Sequence, residues 1–275
     1  MGARIYALCN QKGGVGKTSG TFYLGRAAVL AGHRVLLVDA DPQGNLTTVA
    51  APPETVEEDQ VGLADALSAR TEEELRDVIV PTVWDKADLV PTPSPEALGA
   101  VGQELVISGP GRERRLREAL AAVSEDYDFI FIDCPPSLDL IAVNCLTAAD
   151  AAVVISHTGL FSVNGIAQLL KTIESVRQYY NPGLSIDGIM VNQHEAETVS
   201  GKLWLATLQE AADGHKRHDG TPDPLRVLKP TIPKRAVIKD AMESGRGLDQ
   251  WGSADAAGLS SIYDAHLAAL TKAAG

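Results

Sequence analysis

Residues 9–20 read CNQKGGVGKTSG. Gly13, Gly14 and Gly16 crowd a segment that follows the apolar run RIYALC (4–9) and precedes a helical pattern starting near Lys17. A loop between a strand and a helix turns its backbone N–H groups, and the positive end of the helix, toward an anion. Glycines there take positive φ and let the backbone come close to phosphate oxygens. Lys17 then reaches the terminal phosphates, the Thr18 hydroxyl suits Mg²⁺, and Val15 and Ser19 complete the cradle. The pattern GxxxxGK[ST] is met except at its first position, where Gln11 stands, and Lys12 precedes the glycines instead. A second lysine beside the phosphates needs its own reason.

Two further stretches supply carboxylates. The run VLLVDADPQGNLTT (35–48) ends a strand-like segment in Asp39 and Asp41. If that strand lies near the phosphate loop, one carboxylate can hold the shell of a bound Mg²⁺ and the other can orient an attacking water. An Asp before a proline, as at Asp41–Pro42, equally suits a plain turn. The run YDFIFIDCPPS (127–137) places Asp133 at the end of an apolar strand, where a carboxylate reaches Mg²⁺ through water. Pro135 and Pro136 stiffen the loop that follows.

Around these stretches apolar β-rich runs alternate with helical patterns. Strands are expected at 4–9, 34–39, 87–92, 127–133, 151–156 and 186–192, with a further candidate at 225–230. Helices are expected at 17–31, 112–124, 161–180 and 235–245 among others. Near-continuous Val, Ile and Leu suits strands buried on both faces, so the fold class is α/β, a mostly parallel sheet with helices on both faces. Residues 51–60 and 212–225 read as surface loops too short to divide the chain, which leaves a single domain over 1–275.

The 275 residues are 45% hydrophobic and 22% charged, with a net charge of −12. Such acidity argues against a surface that binds nucleic acid everywhere, so any DNA contact has to be a local cationic patch. The densest patch is Lys229, Lys234, Arg235 and Lys239, with Arg246 nearby, and HKRH at 215–218 is a second. Each serves equally well as a solvated face. Cys9, Cys134 and Cys145 form no CxxC pair, which argues against a zinc or iron–sulfur site and for a reducing, cytoplasmic compartment. No apolar run approaches the ~18 residues of a membrane span. The C-terminal SSIYDAHLAALTKAAG (260–275) has one lysine and no aromatic-rich apolar face, so it does not read as a membrane-surface helix. The first strand starts by residue 4, which predicts no leader and no helix-turn-helix ahead of the loop.

With Lys12 before two glycines, the loop takes the form KGGxGK[ST], and here the sequence resembles the ParA/MinD family of deviant Walker A P-loop ATPases. DADPQGN (39–45) is similar to that family's switch I segment, and DCPP (133–136) to the end of its Walker B strand. PTIPKRAVIKDAMESG (230–245) is similar to the segment that packs on the base. The resemblance implies one P-loop NTPase domain that hydrolyses ATP with Mg²⁺. It gives Lys12 a catalytic role across a homodimer interface, at the nucleotide of the other subunit, in addition to Lys17. It gives Asp41 the activation of water, and Thr18, Asp39 and Asp133 the metal. Asn192 and Pro233 match base-contacting positions, although Asn192 equally suits a strand-end cap. A ParA-type partition role is implied: a dimer formed in ATP binds non-specific DNA at the nucleoid, and a centromere-binding ParB-type protein stimulates the hydrolysis that releases it. Val237 stands where some relatives carry arginine. The alternatives are positioning of a protein cargo by the same chemistry, and a P-loop small-molecule ligase or synthetase. No membrane partner is expected.

Overall fold

RIYALC, VLLVD, FIFID and AAVVISH carry few polar residues, so both faces of the strands they form must be covered. The computed structural model describes residues 2–273 except 54, 58, 158, 159 and 218, and no side chain of 160–164 or 273. Strands β1 (Arg4–Cys9), β2 (Val35–Asp39), β3 (Val80–Pro81), β4 (Ala87–Val90), β5 (Phe129–Asp133), β6 (Ala151–His157) and β7 (Ser185–Asn192) form one sheet. Their order is β3-β4-β2-β5-β1-β6-β7, and only β3 runs antiparallel to its neighbour. β5 therefore lies between β1 and β2. Asp133 stands beside Leu8 on one side and Asp39 on the other.

The helices are α1 (Lys17–Leu30), α2 (Asn45–Ala50), α3 (Leu63–Leu67), α4 (Pro95–Ile107), α5 (Arg115–Ala121), α6 (Leu140–Ala148), α7 (Leu160–Tyr179), α8 (Val199–Asp213), α9 (Ala236–Glu243) and α10 (Ala254–Ala273). Side chains alternate along the strands between two apolar layers. Tyr6, Leu8, Leu37 and Phe131 pack with α1, α9 and α10 on one face. Ala7, Leu36, Ile130 and Ile132 pack with α4, α5, α6 and α7 on the other. The helix after the phosphate loop sits unusually close to the sheet. A Cβ on Gly25 would stand 2.7 Å from Cδ2 of Leu37. α1 ends where Gly32 turns left-handed at φ 95, with its N–H on Val29 O and that of His33 on Ala28 O.

The chain departs from the expected elements in three places. Residues 225–230 do not form a regular strand, although they run along the outer edge of β7. Ile189 N–H bonds Arg226 O at 2.7 Å, and Leu228 N–H bonds Ile189 O at 2.9 Å. Pro230 has no N–H to extend such a ladder, so pairing is intermittent, yet it still covers an edge strand. The helix expected at 112–124 is a 3₁₀ turn, Arg112–Arg114, followed by α5. The loop expected from 212 begins after α8, which runs through Asp213; of the HKRH patch, residue 218 lies outside the described residues. Among the described residues, no helix is long and apolar enough to cross a membrane.

Leu37 is fully buried under α1. Leu37→Ala should cost about 2–5 kcal/mol, from lost burial and the cavity left beside Gly25. Urea unfolding of the variant against the parent measures it.

Candidate nucleotide site

β1 delivers the chain to the C-terminal edge of the sheet, and α1 carries it away, so residues 10–16 arch over the strand ends. Gly14 and Gly16 adopt φ of 73 and 89, a region closed to most side chains. A Cβ on Gly13 or Gly14 would meet nothing within 4 Å, because both face an open cleft of about 720 Å³. Gly16 is different. Its Cβ would lie 1.9 Å from Nδ2 of Asn192, so any side chain there collides with the end of β7. Gly16 also caps α1 without a side-chain acceptor, which leaves the first N–H groups of the helix available to an anion. The loop's start is tied down by Asn10. Its Oδ1 accepts from Lys12 N–H at 2.9 Å, and its Nδ2 donates to Ile155 O of β6.

The two lysines are placed differently. Lys17 is 5% exposed and lines the cleft with Thr18 and Ser19, whereas Lys12 is exposed. Val15 points into the core at 1% exposure, so it shapes the loop through its backbone. The Thr18 hydroxyl donates to Oδ2 of Asp133 at 2.6 Å. Asp133 is fully buried, and its Oδ1 has no partner among the described residues. Burial, then the neighbouring Asp39, push its pKa well above the ordinary carboxylate range. Asp41 is 6% exposed and lines the cleft, with Oδ1 accepting from Gln43 N–H at 3.0 Å.

Asp39, expected near the metal, also has a structural task. It is fully buried behind the cleft, and both its oxygens are occupied. Oδ2 accepts from the N–H and the hydroxyl of Thr47, each at 2.7 Å, and Oδ1 accepts from Asp41 N–H at 3.3 Å. Desolvation pushes its pKa up to about 7 despite these donors. Asp39 thus ties the loop carrying Asp41 to the sheet. Asn192 lines the cleft and also holds the loop, with Nδ2 donating to Val15 O at 2.9 Å and Oδ1 accepting from Gln193 N–H at 2.9 Å. Pro233 lines the far wall with Gln193, Ile238 and Met242.

Three of the four cations expected to face DNA line this same cleft: Lys234, Arg235 and Lys239. Each has a carboxylate within reach, Glu195 at 3.4 Å, Asp255 at 3.9 Å and Glu243 at 3.4 Å respectively. All are exposed pairs of small energetic weight. Lys229 is exposed on the segment along β7, outside the cleft. Sequence reasoning did not single out Asn10, Thr47 or His157. Their roles come from strand adjacency, which a linear motif does not display.

These residues fit a nucleotide with Mg²⁺. The open glycine face and uncapped helix suit phosphates, and the orphaned Asp133 oxygen beside the Thr18 hydroxyl suits a divalent cation. A buried carboxylate without its cation is unfavourable. Asp133→Asn keeps an acceptor for Thr18 and removes the charge, so the metal-free protein should melt at a higher temperature at pH 8. The same variant should bind ADP with or without Mg²⁺ equally, whereas the parent binds more tightly with it. Thermal melts and titrations in EDTA and in Mg²⁺ read both effects.

A family model described as an AAA domain matches residues 3–186. The chain is similar to sporulation initiation inhibitor protein Soj of Bacillus subtilis, 35% identical over 254 residues that cover 88% of this chain and 89% of that one. It is 34% identical over 246 residues to chromosome partitioning protein ParA of Caulobacter vibrioides, covering 88% and 85%. Among solved structures, it is similar to cobyrinic acid a,c-diamide synthase from Mycobacterium smegmatis with bound ATP analog and magnesium. That likeness has 32% identity and a TM-score of 0.73, over 88% of this chain and 91% of that chain. The extra lysine ahead of the glycines, the sheet order beneath it and these end-to-end likenesses agree: the chain belongs to the ParA-type P-loop ATPases, which hydrolyse ATP with Mg²⁺.

Proposed function

We propose that this ATPase partitions DNA, using ATP to form a homodimer that binds duplex DNA without sequence preference. The observation that carries the reading is the contrast between the two lysines. Lys17 is buried in its own phosphate cleft, whereas Lys12 projects from the rim of the same loop into solvent. A cation held there at a fixed backbone angle by Asn10 is available to the phosphates of a second subunit. It would stabilise charge developing in transfer, as an arginine finger does. Within one subunit Lys17 and the loop N–H groups hold the phosphates, Thr18 and Asp133 hold Mg²⁺, and Asp41 orients water. Bound Mg²⁺ supplies charge neutralisation at the phosphates. Pro233 packs on the base, and Asp39 supports the Asp41 loop from behind. The names of the Soj and ParA relatives support a partition role.

The DNA surface is proposed along the edge where the segment after β7 meets α9, through Lys229, Lys234, Arg235 and Lys239. Three of these border the nucleotide cleft, so occupancy of the cleft and cation placement are mechanically close. Release follows hydrolysis stimulated by a centromere-binding ParB-type protein, and the working place is the nucleoid in the cytoplasm. A second reading, a small-molecule enzyme of the amide-forming kind, draws on the 32% identity to the cobyrinic acid a,c-diamide synthase structure.

The test is binding to non-specific duplex DNA in ATP, ADP and no nucleotide, across a salt series. Binding confined to ATP is expected, weakening steeply with salt, and each of Lys234→Ala and Arg235→Ala should lower the slope of log K against log salt by about 1. Absence of DNA binding with hydrolysis intact would shift the assignment to a protein cargo or to the small-molecule reading. Lys12→Ala should bind ATP yet stay monomeric in light scattering, and Asp41→Ala should accumulate an ATP-bound dimer. A Lys12→Ala protein that dimerises normally would refute the cross-subunit role.

A further inference from the structure

His157 is the last residue of β6, and Asn192 the last of β7, and the two are direct partners in the parallel register. Both turn their side chains toward the phosphate loop. His157 Nε2 lies 3.0 Å from Gly14 O, and Asn192 Nδ2 donates to Val15 O at 2.9 Å. Two side chains from adjacent strand ends therefore hold two consecutive carbonyls of one loop. A carbonyl can only accept, so His157 carries its proton on Nε2 and donates.

The peptide bond makes this more than a tether. In a planar trans peptide the C=O and the following N–H point in opposite directions. Holding Gly14 O against β6 turns Val15 N–H the other way, and holding Val15 O against β7 does the same for Gly16 N–H. Neither N–H has a hydrogen-bond partner among the described residues. Both belong to the loop whose glycines face the open cleft. Successive N–H groups aimed at one point make an anion nest, and its strength depends on their directions being fixed before the ligand arrives.

We propose that His157 is a positioning residue for nucleotide binding: with Asn192 it clamps the Gly14 and Val15 carbonyls to the ends of β6 and β7, and so presets the Val15 and Gly16 N–H groups toward the phosphates. The surroundings suit a neutral donor. The ring is half-buried, and burial lowers its pKa against the raising effect of the bond to Gly14 O, with Lys12 and Lys234 lowering it further, so it adds no repelling charge beside those lysines near neutral pH. The proposal concerns the ATPase site alone and stands apart from any role in DNA partition.

Two variants of the full chain separate the hydrogen bond from the ring's bulk. His157→Phe keeps the bulk and has no donor, whereas His157→Gln places an N–H donor at similar reach. Binding of a fluorescent ADP analogue is measured for both, with thermal unfolding in the absence of nucleotide as the check on folding. His157→Phe should weaken ADP affinity by about 3- to 10-fold, the range expected for one backbone-directed hydrogen bond. His157→Gln should stay within about twofold of the parent. Unchanged affinity in His157→Phe would overturn the proposal. So would equal losses in both variants, since bulk rather than the donor would then be responsible.

Discussion

Two carboxylates that end adjacent strands in register govern the rest of this structure. Asp39 and Asp133 are direct partners at the ends of β2 and β5, and both are completely buried. Neighbouring strands lie about 4.8 Å apart, and two full charges at that spacing would repel by roughly 3 kcal/mol even at an effective dielectric of 20. The chain resolves the conflict asymmetrically. Asp39 receives three donors from the loop and helix that follow it, two of them from Thr47 of α2. Among the described residues, Asp133 receives only the Thr18 hydroxyl and keeps one oxygen without a partner. Asp39 thereby anchors the segment that follows it, while Asp133 keeps an oxygen suited to a cation.

That asymmetry organises the loops around the cleft. Asp39 draws residues 41–47 against the sheet, which sets Asp41 on the cleft wall. The Thr92 hydroxyl donates to Asp39 O and Thr92 N–H to the Thr47 hydroxyl, so the loop after β4 locks the same corner. On the other side of the sheet edge the phosphate loop is held by Asn10, His157 and Asn192, all bonding between loop and strand ends. The far wall is joined to the phosphate-loop helix by Tyr23, whose hydroxyl donates to Ile238 O of α9 at 2.5 Å. A ligand that spans phosphates and base would therefore touch elements already connected through α1.

Much of this was legible in the linear chain. The glycine spacing, the lysines and the strand-to-helix context located the phosphate loop, and the apolar runs ending in Asp39 and Asp133 located the two carboxylate edges. Other features become visible only in three dimensions. The hydrogen bonds that Asp39 accepts from Thr47 and Asp41 are a feature that a motif does not reveal. Lys234, Arg235 and Lys239 cluster in sequence, and the return of the chain along β7 places them on the wall of the nucleotide cleft. The candidate strand at 225–230 had the right composition, and Pro230 made its pairing intermittent.

The sequence by itself determined the chemistry and the local shapes. A glycine-rich turn between an apolar strand and a helix is a short-range fact, decided by φ preferences and the helix N-terminus. The buried parallel sheet was equally determined, because residues apolar on both faces of a strand have no other stable place. Tertiary structure alone decided which strands are neighbours. The insertion of β5 between β1 and β2 set the two aspartates side by side, and the pairing of β6 with β7 set His157 beside Asn192. These are contacts between residues far apart along the chain, fixed by strand order and register, and no local propensity encodes them.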